Sequence, residues 1–86
     1  MEVVVYGPLR GATGAKTVHV DVDGDTVGAA LDALVAAHPR VEQHLYRADG
    51  SLAPSVRVSV DGERADPEDP CPRDATLSIH PAMRGG

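Results

Sequence analysis

Apolar and polar positions alternate or recur with distinct periods along this chain, and the periods change at glycine and proline. Val3 to Tyr6 is β-branched and aromatic and is closed by Gly7-Pro8, which predicts a first strand. From Lys16 to Asp23, Val18, Val20 and Val22 alternate with Thr17, His19 and Asp21, the pattern of a strand with one wet face. The turn residues Gly11-Ala12-Thr13-Gly14 between them predict an antiparallel hairpin with a loop longer than two residues. After Asp23-Gly24-Asp25, Thr26 is placed to cap a helix that runs to about His38. Val27, Leu31, Leu34 and Val35 share one face of it, and Pro39 marks the stop. A short helical turn is expected around Val41 to Leu45, and Asp49-Gly50 is a turn signal. Val56, Val58 and Val60 alternate with Arg57, Ser59 and Asp61, and Ala75, Leu77 and Ile79 alternate with Thr76, Ser78 and His80, giving two further one-sided strands. Pro67, Pro70 and Pro72 stiffen the stretch between them, and Pro81 ends the last strand. The order is two strands, a helix, then two strands: an α+β arrangement of one sheet with one helix across its apolar face. A domain over residues 1–81 and an exposed, flexible tail over 82–86 are expected.

Composition narrows what such a domain can do. At 86 residues there is room for one small core and none for a cleft between two lobes, which disfavours an enzyme with a deep active site of its own. Hydrophobic residues make up 42% of the chain, but Phe and Trp are absent, so the core is aliphatic and Tyr6 and Tyr46 are the only tyrosines. The formal net charge of -5 and the lack of a Lys/Arg cluster argue against direct nucleic-acid binding. A single cysteine, Cys71, excludes an internal disulfide and a cysteine-built zinc or iron–sulfur site, and fits a reducing cytoplasm. No signal peptide is read at the N-terminus, and no apolar run has the length of a membrane span. A cytoplasmic monomer is expected.

The chain ends on Gly85-Gly86. Two terminal glycines arise by chance in roughly 0.5% of chains at average usage, so position has to add to the signal. It does, because the last strand is predicted to finish at His80 and only a short segment separates it from the terminus. A carboxylate is a poor electrophile until it is transferred to the α-phosphate of ATP, when AMP becomes a good leaving group for attack by sulfide, a thiol or an amine. A terminus offered to a partner this way must thread a narrow channel where a Cβ would clash, a demand that two glycines meet. On this reading Gly86 carries the reacting carbonyl, Gly85 permits close approach, and Arg84, Met83 and Ala82 lie against the partner.

The sequence here resembles the ThiS/MoaD sulfur carriers and, most of all, the small archaeal ubiquitin-like modifiers. The residues that carry the resemblance are Val4-Val5-Tyr6-Gly7-Pro8-Leu9-Arg10, Thr26 through Leu34 with His38-Pro39, Val58-Ser59-Val60-Asp61-Gly62, and Leu77 through Gly86. The resemblance implies a β-grasp, ubiquitin-like fold, with four to five strands in a mixed sheet and one main helix packed on one face. It also implies a carrier that is not itself an enzyme and binds no cofactor, the ATP being used by a ubiquitin-activating-type partner. After adenylation of Gly86 the products would be an isopeptide bond to target lysines or a thiocarboxylate for molybdopterin or tRNA-thiouridine synthesis. Many family members carry two prolines and a small apolar residue before the glycines, where this chain has His80-Pro81-Ala82-Met83-Arg84. The bulky Arg84 weighs against a molybdopterin synthase small subunit, which buries its tail in a larger subunit, and towards protein conjugation. A non-covalent β-grasp binding module with incidental glycines is the remaining alternative. Seven Arg against the lone Lys16 suggest a GC-rich genome, that of a salt-loving archaeon or a mesophilic bacterium.

Other chemistry-bearing residues have plainer readings. His19, His38, His44 and His80 are expected on wet strand faces, at a helix end and in a connection, which is no converging ligand set, so no metal is expected. Cys71, flanked by prolines, reads as a passive thiol rather than a thioester acceptor. Lys16, the sole side-chain amine, is the only candidate acceptor for self-conjugation, and by default a solvated strand-edge cation.

Overall fold

The computed structural model describes residues 1–80. The tail expected over 82–86 therefore lies outside the described residues. In chain order the elements are β1 (Glu2–Val5), α1 (Pro8–Thr13), β2 (Thr17–His19), α2 (Val27–Ala37), a 3-10 turn (Pro39–Val41), α3 (Glu42–Leu45), β3 (Arg57–Val60), β4 (Glu63–Ala65) and β5 (Thr76–His80). They form a five-stranded mixed sheet in the order β2-β1-β5-β3-β4, with β1 and β5 parallel and the other pairs antiparallel. This is the β-grasp arrangement.

Register follows from the alternation already visible in the sequence. Val3 and Val5 of β1 lie beside Leu77 and Ile79 of β5, and Ile79 lies beside Val58 of β3; all five are almost wholly buried. Against this face α2 packs Val27, Ala30, Leu31 and Leu34. Val35, expected on the same face, is only half-buried, and the smaller Ala30 takes the inward position. Thr26 caps the helix as expected: the Ala29 N–H donates to its Oγ1 at 3.1 Å. The next free amides are met by the proline-rich stretch, with Val27 N–H donating to the Asp69 carbonyl (3.0 Å) and Gly28 N–H to that of Pro67 (2.7 Å). A Cβ at Gly28 would stand 3.2 Å from the Pro67 carbonyl oxygen, so the close seating of this loop depends on the small residue.

Three features depart from the sequence reading. The connection expected to be a bare loop holds α1. Pro8 suits the first helical position, and the complete burial of Leu9 is worth about 2 kcal/mol, more than the roughly 1 kcal/mol that Gly11 costs a helix. The second strand is shorter than Lys16–Asp23: its paired residues are Thr17, Val18 and His19, opposite Val4, Val3 and Glu2. Single backbone bonds flank that ladder, from Val5 N–H to the Lys16 carbonyl (2.8 Å) and from Val20 N–H to the Met1 carbonyl (3.0 Å). β4 has no apolar alternation to announce it. It is made by the turn before it, where Asp61 (φ 50°) and Gly62 (φ 88°) both adopt positive φ, the geometry of a two-residue hairpin that sets Val60 opposite Glu63.

Removing the α2 cap isolates one of these terms. Thr26→Ala is expected to cost about 1 kcal/mol of stability, read as a lower urea midpoint at unchanged slope. An unchanged midpoint would mean the helix start is held by the Pro67–Asp69 carbonyls alone.

Candidate functional site

β5 occupies the middle of the sheet, and its last residue, His80, is where the described chain stops. On one side the backbone ladder to β1 ends with Tyr6 N–H donating to the Ile79 carbonyl at 3.2 Å. Beyond it β1 turns away at Gly7, whose φ of 62° with ψ of -138° is a conformation that side chains resist. On the other side Arg57 of β3 is the partner of His80. Since side chains alternate along each strand, His80 shares the sheet face opposite α2 with Ser78, Thr76, Val4, Arg57 and Ser59.

On that open face the His80 imidazole stacks on the Tyr6 ring, with centroids 4.1 Å apart and planes within 10°. The ammonium of Lys16 stands 5.5 Å from the Tyr6 centroid, within cation–π range. The root of the C-terminal segment is therefore fixed by a backbone ladder, a stacked ring pair and a cation, all at one end of the sheet.

Residues 3–86 match the ThiS family, a span that runs to the terminal glycine. The chain belongs to the ThiS family. It is 41% identical to Small archaeal modifier protein 1 of Haloferax volcanii over 87 residues, covering the whole of both chains. The crystal structure of that protein superposes with a TM-score of 0.92 over 100% of this chain and 98% of the other. CysO from the Amycolatopsis orientalis BexX/CysO complex is also similar, at 28% identity, with a TM-score of 0.81 over 99% of this chain and 98% of that chain.

Within this ThiS-family chain the expected site residues separate into two groups. Gly86, Gly85, Arg84, Met83 and Ala82 lie outside the described residues. Lys16 is exposed just before β2, and its ammonium lies near the Tyr6 ring. The histidines are dispersed: His19 is exposed on β2, His38 half-buried at the end of α2, His44 half-buried on α3 and His80 exposed on β5. Among the described residues no group of three or more His, Cys, Asp or Glu converges as a metal site, and no helix is long and apolar enough to cross a membrane.

Two features were not foreseen from the sequence. The Tyr6–His80 stack has a signal only in hindsight: each ring lies one residue past the last paired residues, Val5 and Ile79. The other is a cleft of about 620 Å³ in the helical layer, lined by Asp32, Glu42, Gln43, Tyr46 and Arg47 among others. Burial, and then the charges of Asp32 and Glu42, hold the Tyr46 hydroxyl above its ordinary pKa. Glu42, Gln43, Tyr46 and Arg47 belong to α3 and the residues just after it, and only the packing of α2 brings Asp32 beside them.

Cys71 is enclosed in the core, and its N–H donates to the Asp25 carbonyl at 2.7 Å. Burial, followed by the charge of Asp61, pushes its thiol pKa up, against a smaller opposing effect of the N-terminal amine. A raised pKa leaves little thiolate at neutral pH, which is the opposite of what a sulfur acceptor needs. Because the folded state holds the proton more tightly than the unfolded one, the stabilisation linked to Cys71 is complete below the ordinary thiol pKa and is lost as pH rises from there through the raised pKa of the folded state. Iodoacetamide is thus expected to alkylate the denatured chain readily and to leave the native chain unmodified. Native labelling as fast as that of free cysteine, followed by mass spectrometry, would contradict the enclosure.

Proposed function

We propose that this chain is a ubiquitin-like protein modifier and sulfur carrier whose working group is the carboxylate of Gly86. Family membership and full-length similarity to a small archaeal modifier make it a carrier rather than an enzyme. The observation that carries the assignment of Gly86 is the combination of a central strand ending at His80 with a family match that continues to the last residue. The six residues after His80 can span about 20 Å when extended, long enough to cross a partner's wall to an enclosed nucleotide site while the domain stays outside.

The chemistry balances with ATP as the only co-reactant of activation. The Gly86 carboxylate oxygen attacks the α-phosphate of ATP in the partner's site and displaces pyrophosphate, leaving an acyl-adenylate. A lysine ε-amine then adds to the carbonyl, AMP leaves, the nitrogen loses its proton, and an isopeptide bond results. If sulfide attacks instead, AMP leaves a thiocarboxylate. A ubiquitin-activating-type enzyme supplies the ATP site and the catalytic groups, while this chain supplies the terminus and the surface by which it is recognised. Arg84 favours the lysine branch, since a solvated cation two residues from the terminus is costly to bury. A molybdopterin synthase subunit, which encloses its tail, and a non-covalent binding module are the readings it competes with.

Tryptic digestion separates the branches, because cleavage after Arg84 leaves Gly-Gly on any modified lysine. Site-mapped remnants that vanish when this gene is deleted are expected; their absence together with a sulfur-for-oxygen mass shift at the terminus would leave sulfur carriage alone. Deleting Gly86 is expected to abolish function with a stability change within about 0.5 kcal/mol. Full function in cells from the shortened chain would favour the binding-module reading.

A further inference from the structure

Where backbone pairing between β1 and β5 stops, side chains take over. Among the described residues the Tyr6 N–H bond to the Ile79 carbonyl is the last of that ladder, and Gly7 then carries the chain away. Beyond it no further backbone bond among those residues joins the β1 side to β5. The lateral constraint on His80 on this side is the Tyr6 ring, stacked at 4.1 Å and nearly parallel, with the Lys16 ammonium at 5.5 Å from the same ring. All three side chains are on exposed or half-exposed positions, so the arrangement adds little to the core, where Val5 and Ile79 are already fully buried. A stacked pair at the surface costs rotamer freedom in the free protein, and that cost returns a benefit only where a fixed chain direction matters.

We propose that Tyr6 is a positioning residue for activation of the carrier: its ring, stacked on His80 and flanked by Lys16, fixes the direction in which the chain leaves β5. The inference rests on the reading that the terminus is captured by an adenylating partner. A segment whose root is already aligned gives up less conformational freedom on entering a channel, so the stack lowers the ordering cost of capture and leaves the chemical step alone. Its effect belongs in the apparent KM for the carrier.

The test is ATP–pyrophosphate exchange by the ubiquitin-activating-type enzyme of the same cell, with the full-length carrier varied. Tyr6→Leu and His80→Ala each raise the carrier KM about 2- to 12-fold, the factor that a ring pair is worth, with kcat changed less than about twofold. Tyr6→Phe keeps the ring and restores the wild-type KM. The double variant Tyr6→Leu/His80→Ala is no worse than either single one, as required of residues acting as one unit. His80→Ala truncates an exposed side chain and keeps the fold testable even if Tyr6→Leu is unstable. A parallel measurement needs no enzyme: the ¹⁵N order parameter at His80 drops from about 0.85 towards 0.6 in Tyr6→Leu while that at Leu77 holds. An unchanged KM, a fall confined to kcat, multiplicative effects in the double variant, or an unchanged order parameter at His80 each overturns the proposal. A carrier lacking Gly85-Gly86 separates the two levels. If it supports exchange as well as the full chain, the capture of the terminus is refuted, and the relaxation measurement still decides whether Tyr6 orders the end of β5.

Discussion

The parallel pairing of β1 with β5 is the constraint on which the rest of this structure depends. It joins the first strand to the last, so the core cannot close until the two ends of the chain have met. The pairing aligns Val3 and Val5 with Leu77 and Ile79, and this buried square is what α2 packs against. Parallel alignment also sets a direction: both strands run out at the same end of the sheet. At that end β1 turns away at Gly7, at a φ that other residues resist. The central place of β5 in the sheet is thus a consequence of topology, with Pro8 and the buried Leu9 fixing where the chain goes after β1.

A division of labour follows. The described residues hold the domain together and offer few reactive groups: Cys71 is enclosed with a raised pKa, and the histidines are scattered over separate elements. The sheet face that carries Tyr6 and His80 and the cleft near Tyr46 lie on opposite layers of the domain. Under the proposed function, the nucleotide site belongs to the partner and this chain contributes its terminal carboxylate. Its fold can be stable without being part of the chemistry.

How much of this could be read from the residues depends on how local the cause was. α2, β3 and β5 were legible because Thr26, the helical spacing to Leu34 and the alternations around Val58 and Leu77 are complete within a dozen positions. α1 was not, since Gly11, Thr13 and Gly14 are turn residues locally and the burial of Leu9 is a tertiary effect. β4 was hidden for a related reason: Glu63-Arg64-Ala65 has no strand pattern, and only the positive φ at Asp61 and Gly62 folds it back on β3. The ring stack needed the parallel register between the two chain ends, which no local pattern encodes. The terminal glycines stand out in the sequence itself, and the chemistry proposed for them rests on where β5 ends and on the family the chain belongs to.

The claim at the centre of this account is that the reactive group is the terminal carboxylate. Top-down mass spectrometry of the full-length chain, trapped with ATP and its activating enzyme before any acceptor is added, locates the AMP adduct along the sequence. The account predicts AMP on Gly86 and on no other residue. AMP bound to a side chain, or an activating enzyme that turns over ATP while this chain remains unmodified, would contradict it.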